Sequence, residues 1–343
     1  MTAAFAEAWR TAVVDEPNAW VRAVAWAEVA GRPAAIAVAG PTLAAWDLES
    51  GAPLIRSSIP GEQADSTLLN LTIGRLDRTP IAVTADVAGR VRAWDLAGGE
   101  PLGKPIAELY GRAAALVAAR ELLLIGRGAG ATSSVYEVPA SSGSVEVWDI
   151  TAGQSIHSLW HGGYTDSLAV VEHGDRTVAV VGSTYAARPL LDPDDAESQL
   201  TTWDIRTGAT LGEPILLTGN SVAEPMAAGV LDGRAVAVVA GGEGLCLWDL
   251  AERRQRTTVA CPGRIEAIVW GELASGPVVL AGGGDVRADG RNWLRLWDPR
   301  DWRLIAEAST GTGGISSCAI APDGSVIVPW GDRVQLLRRP ETP

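Results

Sequence analysis

The chain has 343 residues, enough for one large or two ordinary domains, and its 47% hydrophobic content argues against extended disorder. With 28 basic and 41 acidic residues it carries a net charge of −13, which repels a phosphate backbone and excludes non-specific binding to nucleic acid or an anionic membrane. No apolar run is long enough to span a bilayer, and MTAAFAEAWR has neither the basic start nor the apolar core of a signal peptide, so a soluble, cytoplasmic protein is expected. Cys246, Cys261 and Cys318 lie far apart with no CxxC pair, which reads as reduced, packed thiols.

The elements recur in chain order. The first unit runs WVRAVAWAEV, then PAAIAVAG, then TLAAWDL with Trp46-Asp47, then APLIRSSI. The second runs LLNLTIGRL, TPIAVTAD and VRAWDL, with Trp94-Asp95. The dipeptide returns at Trp148-Asp149, Trp203-Asp204, Trp248-Asp249 and Trp297-Asp298, and VQLLRR puts Leu337 and Arg338 in the seventh place. Short runs rich in Val, Ile, Ala and Trp, bounded by turn residues, predict four β-strands per unit and seven units in all. Gly51, Gly99, Gly153 and Gly208 each stand four residues after the repeat Asp, where a tight turn needs φ > 0. The Asp is expected to bond backbone N–H groups of that turn, and the Trp to wedge between sheets. All twelve Trp-Asp residues are therefore read as structural.

This recurrence resembles the WD-repeat β-propellers. Phrases such as WVRAVAWAEVAGRPAAIAVAG and WDLAGGEPLGKPI, with Lys104 the only lysine, are similar to those of high-GC, actinobacterial-type propellers. The resemblance implies an all-β, single seven-bladed propeller of four-stranded antiparallel blades over residues 1–343, acting in protein–protein interaction. The family's Gly-His dipeptide is missing from most units, with His161-Gly162 its reversed echo, which implies blades held mainly by apolar packing.

The last unit stops at RRPETP without a fourth strand, while AWRTAVV precedes the first unit. Residues 8–14 are therefore expected to complete the last blade, closing the ring with no free edge.

Function is expected where units depart from the repeat. Units three and four hold insertions between their second and third strands, GRGAGATSSVYEVPASSG and GSTYAARPLLDPDDAESQ. In a propeller such loops open on the same rim as the connections between blades. Tyr110, Tyr136, Tyr164 and Tyr185, all the tyrosines of the chain, fall on this arc with Glu137, Trp160, His161 and Arg188 beside them. Tyrosine couples large contact area to few rotatable bonds, which suits recognition of a protein partner. The competing reading is an enzyme or small-molecule pocket around Tyr136, His161, Tyr164 and Tyr185. No catalytic residue, metal site or cofactor is assigned, and a monomer is expected.

Overall fold

The structure, a computed structural model, describes residues 3–13, 20–59, 67–77, 79–109, 113–119, 121–127, 143–161, 163–186, 196–217, 224–242, 244–284, 292–310 and 315–339. Among them every regular element is a β-strand. Seven antiparallel sheets, each of four main strands, are the blades of a seven-bladed β-propeller. Two compact units are distinguished: Met1–Val87, Arg92–Pro105 and Cys261–Pro343 in one, Ala88–Val91 and Ile106–Ala260 in the other.

Blade 1 sets the pattern with Val21–Val29, Arg32–Ala39, Thr42–Asp47 and Pro53–Ser58. Within its second strand, Ala34 to Ala39 are all buried. A strand covered on both faces loses the in–out alternation of a half-exposed sheet, and close stacking selects small side chains. In the first unit one core cluster joins blade 1 to blade 7, around Ile327 and Leu336, and another joins it to blade 2, around Trp94. In the second unit the core between blades 3 and 4 gathers Val145, Leu159 and Trp203.

The repeat Asp carboxylates bond backbone N–H groups of the turns that follow them. Asp47 Oδ1 accepts from Ser50 N–H at 2.8 Å, Asp204 Oδ1 from Arg206 N–H at 3.0 Å and Asp249 Oδ1 from Glu252 N–H at 2.8 Å. Asp95, Asp149 and Asp298 make equivalent bonds. The Ser50 hydroxyl, bonded to Asp47, holds that carboxyl below its ordinary range. Gly51, Gly99, Gly153 and Gly208 have φ between 63° and 81°, and each donates its N–H to the carbonyl of the repeat Asp. Blades 5 and 6 put Arg253 and Trp302 in the same place, both at φ 56°, so the turn persists without glycine. The pair fixes the turn, and the turn holds the preceding Trp inward. Trp94 is fully buried and donates Nε1–H to Thr84 Oγ1 at 2.8 Å. Trp148 is half-buried and donates instead to Glu146 on its own strand, at 2.9 Å.

The last blade is Ala319–Ile320, Val326–Trp330 and Arg333–Arg338, completed by Ala6–Ala12. The closing strand pairs antiparallel, Ala6 with Arg338 through to Ala12 with Arg333, and starts two residues earlier than expected. Trp9 donates Nε1–H to the Leu48 carbonyl at 3.2 Å, as Arg338 does at 3.0 Å. Ala3–Ala4, which the repeat does not foreshadow, adds in parallel to the outer strand of blade 6. The expectation of no free edge needs correction. Closing ties the two ends of the chain together, yet outer strands such as Pro53–Ser58 and Gln154–His161 still have a neighbour on one side only.

Replacing Trp94 by Ala should destabilise the protein by about 3–5 kcal/mol through the cavity it leaves. Trp148→Ala, at a half-buried site, should cost only about 1–2 kcal/mol by denaturant titration. Deleting residues 1–12 should uncover the Arg333–Arg338 edge and the core beneath Trp9. A loss on the order of several kcal/mol, with aggregation visible in size-exclusion chromatography, is expected.

Candidate functional site

Blade 3 ends in a long outer strand, Gln154–His161, paired along its inner side with Gly143–Asp149. Alternation sends His157, Leu159 and His161 one way and Ser158 and Trp160 the other, while Ile156 is the extra residue of a β-bulge between Ser155 and His157. The first set is anchored. Leu159 is buried in the core between blades 3 and 4, and His157 Nε2 lies 3.1 Å from the Arg206 carbonyl. His161 is buried, its Nε2 2.8 Å from Thr165 Oγ1 and its ring tilted against Trp203 at 6.1 Å. Gly143 makes this fit possible, since a Cβ there would meet the Gly163 carbonyl at 2.1 Å and the His161 ring at 2.5 Å. Outside this anchored set, Trp160 is 68% exposed and Ile156 40%.

Polar side chains continue from His161 into blade 4. Thr184 Oγ1 donates to Asp166 Oδ2 at 2.6 Å and lies 3.2 Å from Ser198 Oγ. Burial pushes the Asp166 carboxyl above its ordinary value, against the bond from Thr184. Ser183 and Thr201 are buried beside them with hydroxyls that have no protein partner. Among the described residues no three His, Cys, Asp or Glu side chains gather as metal ligands, and no helix is long and apolar enough to cross a membrane. None of the three cysteines is in a disulfide, and burial drives the Cys318 thiol up to about 12.

Of the residues singled out by sequence, Trp160 and His161 are adjacent but opposite in role, one presented and one packed. Tyr164 opens the first strand of blade 4, Tyr164–His173, paired with Thr184, and Tyr185 lies near the end of the next, Arg176–Ala186, paired with Glu197. Tyr110, Tyr136, Glu137 and Arg188 lie outside the described residues. Ile156 was missed, because its exposure arises at a β-bulge that interrupts the period-two pattern of QSIHSLWH. No protein-family model matches the chain, and no curated protein matches it.

The raised Asp166 carboxyl has a definite pH signature. Its ionised form is penalised in the folded chain, so the cost is present above its folded-state pKa and vanishes as pH falls below the ordinary aspartate value. Asp166→Asn should therefore melt higher than the wild type at pH 7. The gap should close at acid pH, followed by calorimetry.

Proposed function

We propose that this protein is a non-catalytic interaction propeller of the WD-repeat type, and that it captures an extended, uncharged segment of a partner protein along the outer strand of blade 3. The observation that supports this most is how the seven outer strands differ. Exposed strand edges invite pairing with other chains, and proteins blunt them by shortening them or by placing charges on them. Among the described residues blade 2 has Ala107–Glu108 and an isolated bridge at Pro101, and blade 4 the fragments Ala209–Thr210 and Ile215–Leu216. Blades 1, 5, 6 and 7 carry Arg56, Arg254, Arg303 and Arg10, and part of the blade 6 edge is covered by Ala3–Ala4. Gln154–His161 is eight residues long, has no Asp, Glu, Lys or Arg, and presents Ile156 and Trp160.

An added strand would gain main-chain hydrogen bonds from the edge, and its own apolar side chains would meet Ile156 and Trp160. An exposed Trp is the residue type most often found as an energetic anchor in interfaces. Cysteines outside any disulfide support a reducing, cytoplasmic setting.

The test uses random peptides displayed on phage, selected on the full chain and counter-selected on the Ile156→Lys, Trp160→Lys double variant. Enriched peptides should be β-branched and apolar, should protect the amides of residues 154–161 from hydrogen exchange, and should bind the variant at least tenfold more weakly. Peptides that bind both proteins equally, or protection elsewhere, would overturn the proposal. Dimerisation abolished by the same double variant would assign the edge to a second copy of this chain instead.

A further inference from the structure

Residues 3–12 do more than complete a sheet. Ala3 and Ala4 pair with Ala306 and Glu307 on the outer strand of blade 6, and Phe5 N–H donates to the Glu307 carbonyl at 3.0 Å. The chain then crosses to blade 7 as Ala6–Ala12. The crossing borders an open cleft of about 660 Å³, within the usual range for small-molecule sites. Trp293, from the third strand of blade 6, and Trp330, from the second strand of blade 7, line it together with Phe5 and Leu337.

The charges in the cleft are already matched. The Arg10 guanidinium sits 3.8 Å from the centre of the Trp330 ring and donates from Nη2 to Glu7 Oε2 at 2.5 Å. Gln335 Nε2 donates to the same oxygen, also at 2.5 Å. Across the cleft, Arg295 Nε donates to Glu307 Oε2 at 3.2 Å. Two cations and two anions thus leave no net charge for an ionic ligand to neutralise. Three polar atoms are left over. Trp293 is 7% exposed and Gln335 4%, yet the indole N–H of the first and the side-chain carbonyl of the second have no hydrogen-bond partner, nor does Nε–H of Arg10. Buried polar groups are nearly always paired, and these three lie on residues that line one cavity.

We infer that this cleft is a binding site for a small, uncharged, planar amide of the lactam or nucleobase kind. Two spare donors, on Trp293 and Arg10, suit carbonyl oxygens, and the one spare acceptor, on Gln335, suits an N–H. A cyclic amide carries both functions in one plane, and its flat, weakly polar faces suit a cleft walled by two indoles. Phosphates and carboxylates are disfavoured, because Glu7 and Glu307 offset Arg10 and Arg295. The site is separate from the blade 3 edge, so either assignment stands or falls alone.

Titration calorimetry of the full chain with uridine and nicotinamide tests it, with 3-methyluridine and uridine monophosphate as controls. At least one of the two uncharged amides should bind saturably. Where uridine binds, 3-methyluridine, which lacks the imide N–H, should bind roughly three- to tenfold more weakly, the effect of one neutral hydrogen bond. The monophosphate should bind no tighter than uridine. Trp293→Phe keeps the ring and removes the donor, and should cost a similar factor. Ala4→Trp places a large side chain at an exposed lining position and should abolish binding while melting unchanged, which keeps the test decisive if the Trp293 variant does not fold. Binding of neither amide, binding indifferent to Ala4→Trp, or a monophosphate bound tenfold tighter than uridine would overturn the inference.

Discussion

Six residue pairings join Ala6–Ala12 to Arg333–Arg338, and the last blade is whole only because of them. The constraint behind this is general to propellers. A blade buries apolar residues on its faces and is stable only when its strands and its neighbours are complete. Here the strand that completes blade 7 also supplies Trp9 to the core that joins blades 7 and 1, and Trp9 lies so close to Gly51 that a Cβ there would touch its ring at 3.1 Å. The same segment, before it reaches blade 7, covers part of the blade 6 edge and borders the cleft between Trp293 and Trp330. One short stretch, residues 3–12, therefore closes the fold, protects an edge and shapes a cavity.

Inside the blades the governing economy is one of size and turn chemistry. Second strands such as Ala34–Ala39, buried throughout, must be apolar and small, which explains an Ala- and Val-rich sequence without strict alternation. The repeat Asp bonds the N–H groups that its own turn exposes, and the Trp before it is held where it fills space between sheets. That these are separable tasks is visible in blade 7, where Leu337 is buried in the Trp position while Arg338, in the Asp position, reaches the Leu48 carbonyl.

Outer strands obey a different rule, since they face solvent and other chains. Charge on Arg56, Arg254, Arg303 and Arg10, or a length of two residues, makes most of them poor templates for pairing. Blade 3 departs from this pattern with its uncharged strand, and the departure coincides with the region where the repeat itself is interrupted by insertions.

The sequence alone determined the all-β class, the seven units, the Asp-centred turns and the strand that closes the last blade, because each follows from local chemistry repeated at a constant interval. It marked Trp160 by composition but not Ile156, whose exposure arises at a β-bulge. Arg253 and Trp302 carry no mark of the positive φ they adopt, since the turn is imposed by Asp249 and Asp298 and by the strands on either side. Only the tertiary structure decided that His161 is packed while its neighbour is presented, and that Arg10, Trp293 and Gln335 share one cavity. Arg10 stands hundreds of positions from the other two, and contacts made through pairing of the first and last strands leave no periodic trace in the chain.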